Sequence, residues 1–224
     1  MRILSDIQTN LQLDQIVYKN NFNYSDSPYA RIKFPEVGNI DLFSIVDRPY
    51  ANSSKETLNE LQIVSQATQN RSTQDTKLVY TVDDEPLLLF WEFSKSLSLK
   101  FDQKLFDTIY NYSVLPIVDH LKLFYNRPRP FQLAEKLGIP ISRIVTKTHK
   151  TPAYPSGHTM YAALAAEILI DKYPQHKTKL NDLTKQVGHA RVLQGVHYPS
   201  DNLAAIKVIK TIFPNIKKYF SQES

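Results

Sequence analysis

The sequence predicts an all-α, single-domain helical bundle over residues 51–224, preceded by an irregular N-terminal arm over residues 1–50. Three observations predict it. After Ser54 the apolar residues Leu58, Leu61, Ile63 and Val64 fall at amphipathic-helix spacing. Further on, Ala162, Ala163, Ala165 and Ala166 form a run of strong helix formers. Residues 1–50, by contrast, show no sustained period and are rich in Asn, Asp, Tyr and Pro. A length of 224 residues suits one domain with a sizeable core.

Taken in order, the arm reads as partly extended, with short strands near Gln15–Tyr18 and Ala30–Phe34. The first helix spans Ser54 to about Asn70. Asp83-Asp84-Glu85-Pro86 has the features of a helix start, because acidic residues suit the positive N-terminal end and Pro is tolerated in the first turn. The helix it opens runs to about Leu99 and is apolar on most sides, which makes it central. The next covers Asp102 to Phe124 with a kink at Pro116. Arg127-Pro128-Arg129-Pro130 stops it, and a loop-rich stretch follows to Tyr154. Three more helices span Thr159–Lys172, Lys177–Val192 and Asp201–Ile212.

Composition narrows the function classes. The longest uncharged apolar run, Met160 to Ala166, is about a third of the ~20 residues a spanning helix needs, so no membrane span is expected. After Met1-Arg2-Ile3-Leu4 the chain turns polar, without the apolar core of an export signal. The chain has no Cys, hence no disulfide framework, which suits a reducing compartment. A soluble, cytoplasmic protein is the expectation. The net charge of +5 admits nucleic acid, a membrane surface or an anionic small substrate. No long block of Lys and Arg occurs, which argues against nucleic acid.

The informative charges lie in three short segments. Lys122 is followed after six residues by Arg129-Pro130; then comes Pro155-Ser156-Gly157-His158; then Arg191, five residues, His197, three residues and Asp201. Lys122, Arg129 and Arg191 supply three positive charges, and the Arg fork matches phosphate oxygens bidentately. Ser156, Gly157 and His158 precede a helix, where backbone N–H groups bind anions, and Gly157 lets the main chain approach closely. Together they make a cage for one tetrahedral oxyanion, and such a cage suits phosphoryl transfer. Two histidines remain for the chemistry. Asp201, close after His197, is placed to fix that ring's tautomer and free its other nitrogen to attack; His158 then protonates the leaving alcohol.

The three segments resemble the signature of the phosphatidic acid phosphatase type 2 superfamily, which includes bacterial non-specific acid phosphatases and vanadium haloperoxidases. The resemblance covers roughly residues 100 to 210 and fails at one position, Ala190, where the family usually has Ser. It implies a helical bundle of the acid phosphatase/haloperoxidase type with the site in its core. It also implies phosphate binding by Lys122, Arg129, Ser156, Gly157 and Arg191, proton donation by His158, and a phosphohistidine at His197 oriented by Asp201. No metal or cofactor is expected, save vanadate if the chain were a haloperoxidase. The implied activity is a soluble, metal-independent acid phosphatase, inhibited by vanadate, acting on small phosphorylated substrates. Two alternatives stay open: a vanadate-dependent haloperoxidase, whose chains are longer and whose second and third segments lie further apart, and a peripheral lipid-phosphate phosphatase. Self-association, the natural substrate and the role of the arm also stay open.

The remaining candidates have plainer roles. Arg127 reads as a surface or capping residue, and His189 as structural. His120, His149 and His176 read as exposed or locally bonded, and the six His have no zinc-like spacing. Asp83-Asp84-Glu85 reads as a helix start rather than a metal site, and Tyr125 and Tyr154 as pocket walls.

Overall fold

The structure is a computed structural model that describes residues 10–19 and 41–222. Its elements are helical, with no strand among the described residues. Residues 10–14 form α1 and Leu42–Ile45 form α2. Then come α3 (Lys55–Gln69), α4 (Thr73–Asp84), α5 (Leu88–Ser96) and α6 (Gln103–Ile109). A π-helical turn, Tyr110–Val114, joins α6 to α7 (Leu115–Tyr125). The rest is α8 (Pro130–Leu137), α9 (Gly157–Lys172), α10 (Lys177–Leu193) and α11 (Pro199–Gln222).

Local chemistry sets most boundaries. Ser54 caps α3, Asp102 caps α6 and Ser156 caps α9, each side chain accepting from a backbone N–H of the first turn. Ser72 and Asp75 form a reciprocal capping box that starts α4. At the other ends, Asn126 and Gly138 adopt left-handed conformations (φ 44° and 65°) that terminate α7 and α8.

α9 is the hub, packed on both α10 and α11. One of its sides meets Val82, Phe90, Phe106, Leu180, Leu183 and Val187, and the other meets Val114, Val118, Ala205, Val208 and Ile212. That two-sided burial explains why its sequence lacks a polar stripe. Leu42, Ile45 and Val46 also enter the second of these clusters.

Several boundaries differ from the sequence expectation. Asp83 and Asp84 end α4 instead of starting a helix, and Glu85 is its C-cap. The acidic start signal was genuine one helix earlier, at Ser72 and Asp75. Pro130 opens α8 inside the stretch expected to be loop, since Pro in a first helical position loses no hydrogen bond. The last helix passes Ile212 and Pro214 and continues to Gln222, with Ile209, Ile212 and Ile216 buried along one side. At Pro116 the expected kink takes the form of the π-turn just before it. Residues 15–18 form no strand, and the expected strand at 30–34 lies outside the described residues.

Candidate active site

Each predicted site residue sits where one of these boundaries puts it. Lys122 is in the last turn of α7, and Arg129 is the N-cap of α8. Ser156, Gly157 and His158 form the mouth of α9, Arg191 lies near the end of α10, and Asp201 lies in the first turn of α11. His197 occupies the short α10–α11 connection, which reverses at Gly195 with φ 83°. A Cβ there would stand 2.9 Å from Ile141 Cγ2, so both conformation and space call for glycine. At Gly157 a Cβ would meet Tyr110 Oη at 3.4 Å and Val118 Cγ1 at 3.5 Å, ordinary contacts, so the protein's own packing does not demand glycine there.

His197 is held at both ring nitrogens. Nδ1 lies 2.9 Å from Asp201 Oδ2, and Nε2 lies 2.8 Å from Arg129 Nη1. With Nδ1–H donating to the carboxylate, Nε2 carries the lone pair and faces a cation. Arg129 is anchored on two carbonyls, with Nε donating to Thr151 O at 2.9 Å and Nη1 to Val196 O at 2.7 Å. Lys122 Nζ donates to the Pro152 carbonyl. Arg191 Nη1 donates to Asp83 Oδ1 at 2.6 Å and Nη2 to Thr148 Oγ1 at 2.9 Å, while its buried Nε has no protein partner. Such an orphaned charged donor marks a place for an acceptor the protein does not supply.

The cage is buried: Lys122 is 4% exposed, Arg129 and Arg191 1%, and His197 2%. Burial is the largest influence on all four, and each titrates below its ordinary value. Arg129 and then Lys122 and Arg191 push His197 further down, which keeps its imidazole neutral. His158, half-buried at the mouth of α9, is lowered to about 3 by burial and then by Arg191, with the Asp83 carboxylate opposing. Burial raises the Asp201 carboxyl, with Arg127 opposing. Mutual repulsion among three buried cations is the expected signature of a site shaped for an anion.

Ser156 Oγ accepts from Thr159 N at 3.4 Å and lies 3.0 Å from Thr159 Oγ1, so its hydroxyl is engaged in the helix cap. Thr159 Oγ1 in turn donates to Asn202 Oδ1 at 2.8 Å, and Asn202 Nδ2 donates to Gly188 O at 2.9 Å. This chain ties α9, α10 and α11 together directly beneath the cage. Ala190, the departure from the family pattern, is fully buried among apolar neighbours of α9 and α10.

The structure corrects three assignments. Arg127 is no surface residue: it is 3% exposed, and its fork bridges Asp201 Oδ1 (2.6 Å) and Glu60 Oε2 (3.0 Å) over the ring of Tyr198 at 3.9 Å. Glu60, from α3, also accepts from Ser200 N at 2.6 Å and Ser200 Oγ at 2.8 Å. Asp83 is a buried partner of Arg191, which its place at a helix end conceals in sequence. His120 is buried against Phe43 rather than exposed. His149 is bonded locally to Thr146, and Tyr154 is a core residue whose hydroxyl donates to Asp47 O at 2.5 Å. A buried Glu and Arg had no legible signal; Arg127 stands in a word, Arg-Pro-Arg-Pro, that reads as a turn.

Among the described residues no group of three His, Cys, Asp or Glu side chains is arranged to hold a metal ion, and no helix is long and apolar enough to cross a membrane.

Non-specific acid phosphatases of Salmonella typhimurium (strain LT2) and Salmonella typhi are each 35% identical to the chain over 80 residues, or 36% of this chain. The match spans about a third of those relatives (32%). In fold, the chain is similar to the crystal structure of a transmembrane PAP2 type phosphatidylglycerolphosphate phosphatase from Bacillus subtilis. The TM-score is 0.51 at 19% identity, covering 75% of this chain and 87% of that one. The model of the PAP2 superfamily matches residues 108–208. That matched segment carries Lys122, Arg129, His158, Arg191, His197 and Asp201.

Proposed function

We propose that the protein is a metal-independent acid phosphatase that hydrolyses phosphomonoesters through a phosphohistidine at His197. The observation that carries this is the double hold on His197: Nδ1 on Asp201 and Nε2 in a buried cage of cations. A phosphomonoester displaces the Arg129 contact and lies between Lys122, Arg129, the free Nε of Arg191 and the N–H groups opening α9. The lone pair of Nε2 attacks phosphorus while the bond to the leaving alcohol breaks and His158 protonates the departing oxygen. Water then attacks the phosphohistidine. His158 takes the water's proton, the N–P bond breaks, orthophosphate leaves and both histidines are restored. Three cations and a helix end supply the charge that paired metals provide in other phosphatases.

His158 must carry a proton to act as an acid, and burial beside Arg191 opposes that. A bound phosphate dianion reverses the local field and draws the proton in. Substrate and acid therefore assemble together.

Rapid quench of the enzyme with a radiolabelled aryl phosphate tests the mechanism. An acid-labile, base-stable phosphoenzyme is expected in the wild type and absent in His197→Ala. Activity is expected to resist chelators and to be blocked by vanadate. If His197→Ala keeps most of the activity, the histidine nucleophile is wrong.

A further inference from the structure

A groove of about 560 Å³ lies within a helical turn of His158, lined by none of the cage residues themselves. Two links place it there. Asp84, on its rim, directly follows Asp83, whose carboxylate holds Arg191 and whose charge acts on His158. Tyr161, in its wall, lies one helical turn beyond His158 on the same face of α9. Tyr161 also stacks on Tyr110 at 4.4 Å, and Tyr110 Oη donates to Gly157 O at 3.4 Å. In an in-line displacement the leaving alcohol departs opposite His197 and past the acid, so it departs toward this groove.

The lining combines two chemistries. Leu87 and the rings of Trp91 and Tyr161 form an apolar wall, with Trp91 43% exposed and Lys95 Nζ 4.7 Å over its ring. Asp84, Glu85 and Asp107 bring three carboxylates against one cation at the edge, the Lys95 ammonium over the Trp91 ring. Asp107 is oriented by Tyr161 Oη and by Gln103 Nε2 at 2.9 Å. In a chain of net charge +5, built around three buried cations, this acidic mouth is out of character. It does nothing for phosphate, which it repels.

We propose that this groove is the leaving-group subsite and that it selects phosphomonoesters of apolar alcohols bearing an amine, against those bearing a second anionic group. The proposal rests on the phosphatase function above. The ring or chain of the alcohol packs on Trp91 and Leu87 while its ammonium meets Asp84 and Glu85.

The test compares two esters with the same phenyl ring: 4-(2-aminoethyl)phenyl phosphate and 3-(4-phosphonooxyphenyl)propanoate, with phenyl phosphate as reference. Partly exposed charge pairs predict a kcat/KM ratio of about tenfold in favour of the amine at low salt. The ratio should fall to about threefold or less in the double variant Asp84→Asn/Glu85→Gln, where two of three carboxylates are gone. It should stay unchanged in Asp182→Asn, which removes an exposed carboxylate outside the groove. A wild-type ratio near one, or a ratio that survives the double variant, overturns the subsite while leaving the phosphatase intact. Failure of the wild type to hydrolyse even phenyl phosphate overturns the phosphatase and the subsite with it.

Discussion

Arg127 Nη1 donates to Asp201 Oδ1 at 2.6 Å, on the carboxylate edge opposite the one that receives His197 Nδ1. The two edges have different tasks. One holds the imidazole, and the other is clamped by a guanidinium that is itself braced on Glu60. Arg127 therefore braces the carboxylate that holds His197, and α3, which precedes the segment matched by the family model, reaches that pair through Glu60.

Removing the charge of Glu60 tests that clamp. Glu60→Gln keeps the shape but weakens two hydrogen bonds from Ser200 and one from Arg127. Losing charge assistance on such bonds costs about 1.5–3 kcal/mol, so kcat should drop roughly tenfold or more with KM little changed. Arg127→Ala strands two buried carboxylates and should destabilise the fold by about 3–5 kcal/mol in denaturant titration. A Glu60→Gln enzyme with wild-type kcat would show that the clamp is only structural.

His158 should matter in proportion to how badly the leaving group needs a proton. For an alkyl phosphate, His158→Ala is expected to cost about 10²–10⁴ in kcat. For 4-nitrophenyl phosphate, whose phenolate leaves unaided, the first step should lose far less, and phosphoenzyme should accumulate because water has lost its base. Single-turnover kinetics on the two substrates measure the difference. Equal losses on both would remove His158 from the acid role.

Acid should destabilise the empty protein in a specific window. His158 and His197 are both lowered by burial, so below about pH 6.5 the unfolded chain takes up protons that the native state refuses. Their cost to stability grows as pH falls from there toward 3. Asp201, raised by burial, works in the opposite direction, but it is one group against two. Between pH 7 and 5 the Tm should fall, and saturating orthophosphate should reduce the fall by favouring the protonated histidine. Scanning calorimetry with and without orthophosphate decides it; a Tm that stays flat or rises over this window contradicts the buried neutral pair.

The loop that presents His197 depends on one glycine. Gly195→Ala demands φ near +83° of an L-residue and places Cβ 2.9 Å from Ile141 Cγ2. The expected cost is about 1–3 kcal/mol in stability. Because His197 is two residues away, kcat should fall as well, even at temperatures where the variant is fully folded. A stable variant with unchanged kcat would show that the loop relaxes independently of the nucleophile.

What the sequence by itself determined is the helical class of the fold and the candidate residues gathered around His197. Lys122, Arg129, His158, Arg191, His197 and Asp201 are legible because their spacing and company have no simpler use. α3 and α9 are legible because apolar spacing or Ala content agrees with a serine cap in each segment. Tertiary structure alone decided the second layer. Asp83 carries the marks of a helix start and yet ends α4 against Arg191; Glu60 looks like one more solvated carboxylate on a helix; Arg127 sits between two prolines as if in a turn. Each of the three is a charge whose partner lies at least sixty residues away in the chain. Local pattern reports only neighbours within a few turns, whereas a buried charge is stabilised by whatever the fold brings to it. The positions of the supporting charges around His197 were therefore set by the packing of α3 and α4 against α10 and the start of α11, and by nothing that a short stretch of sequence contains.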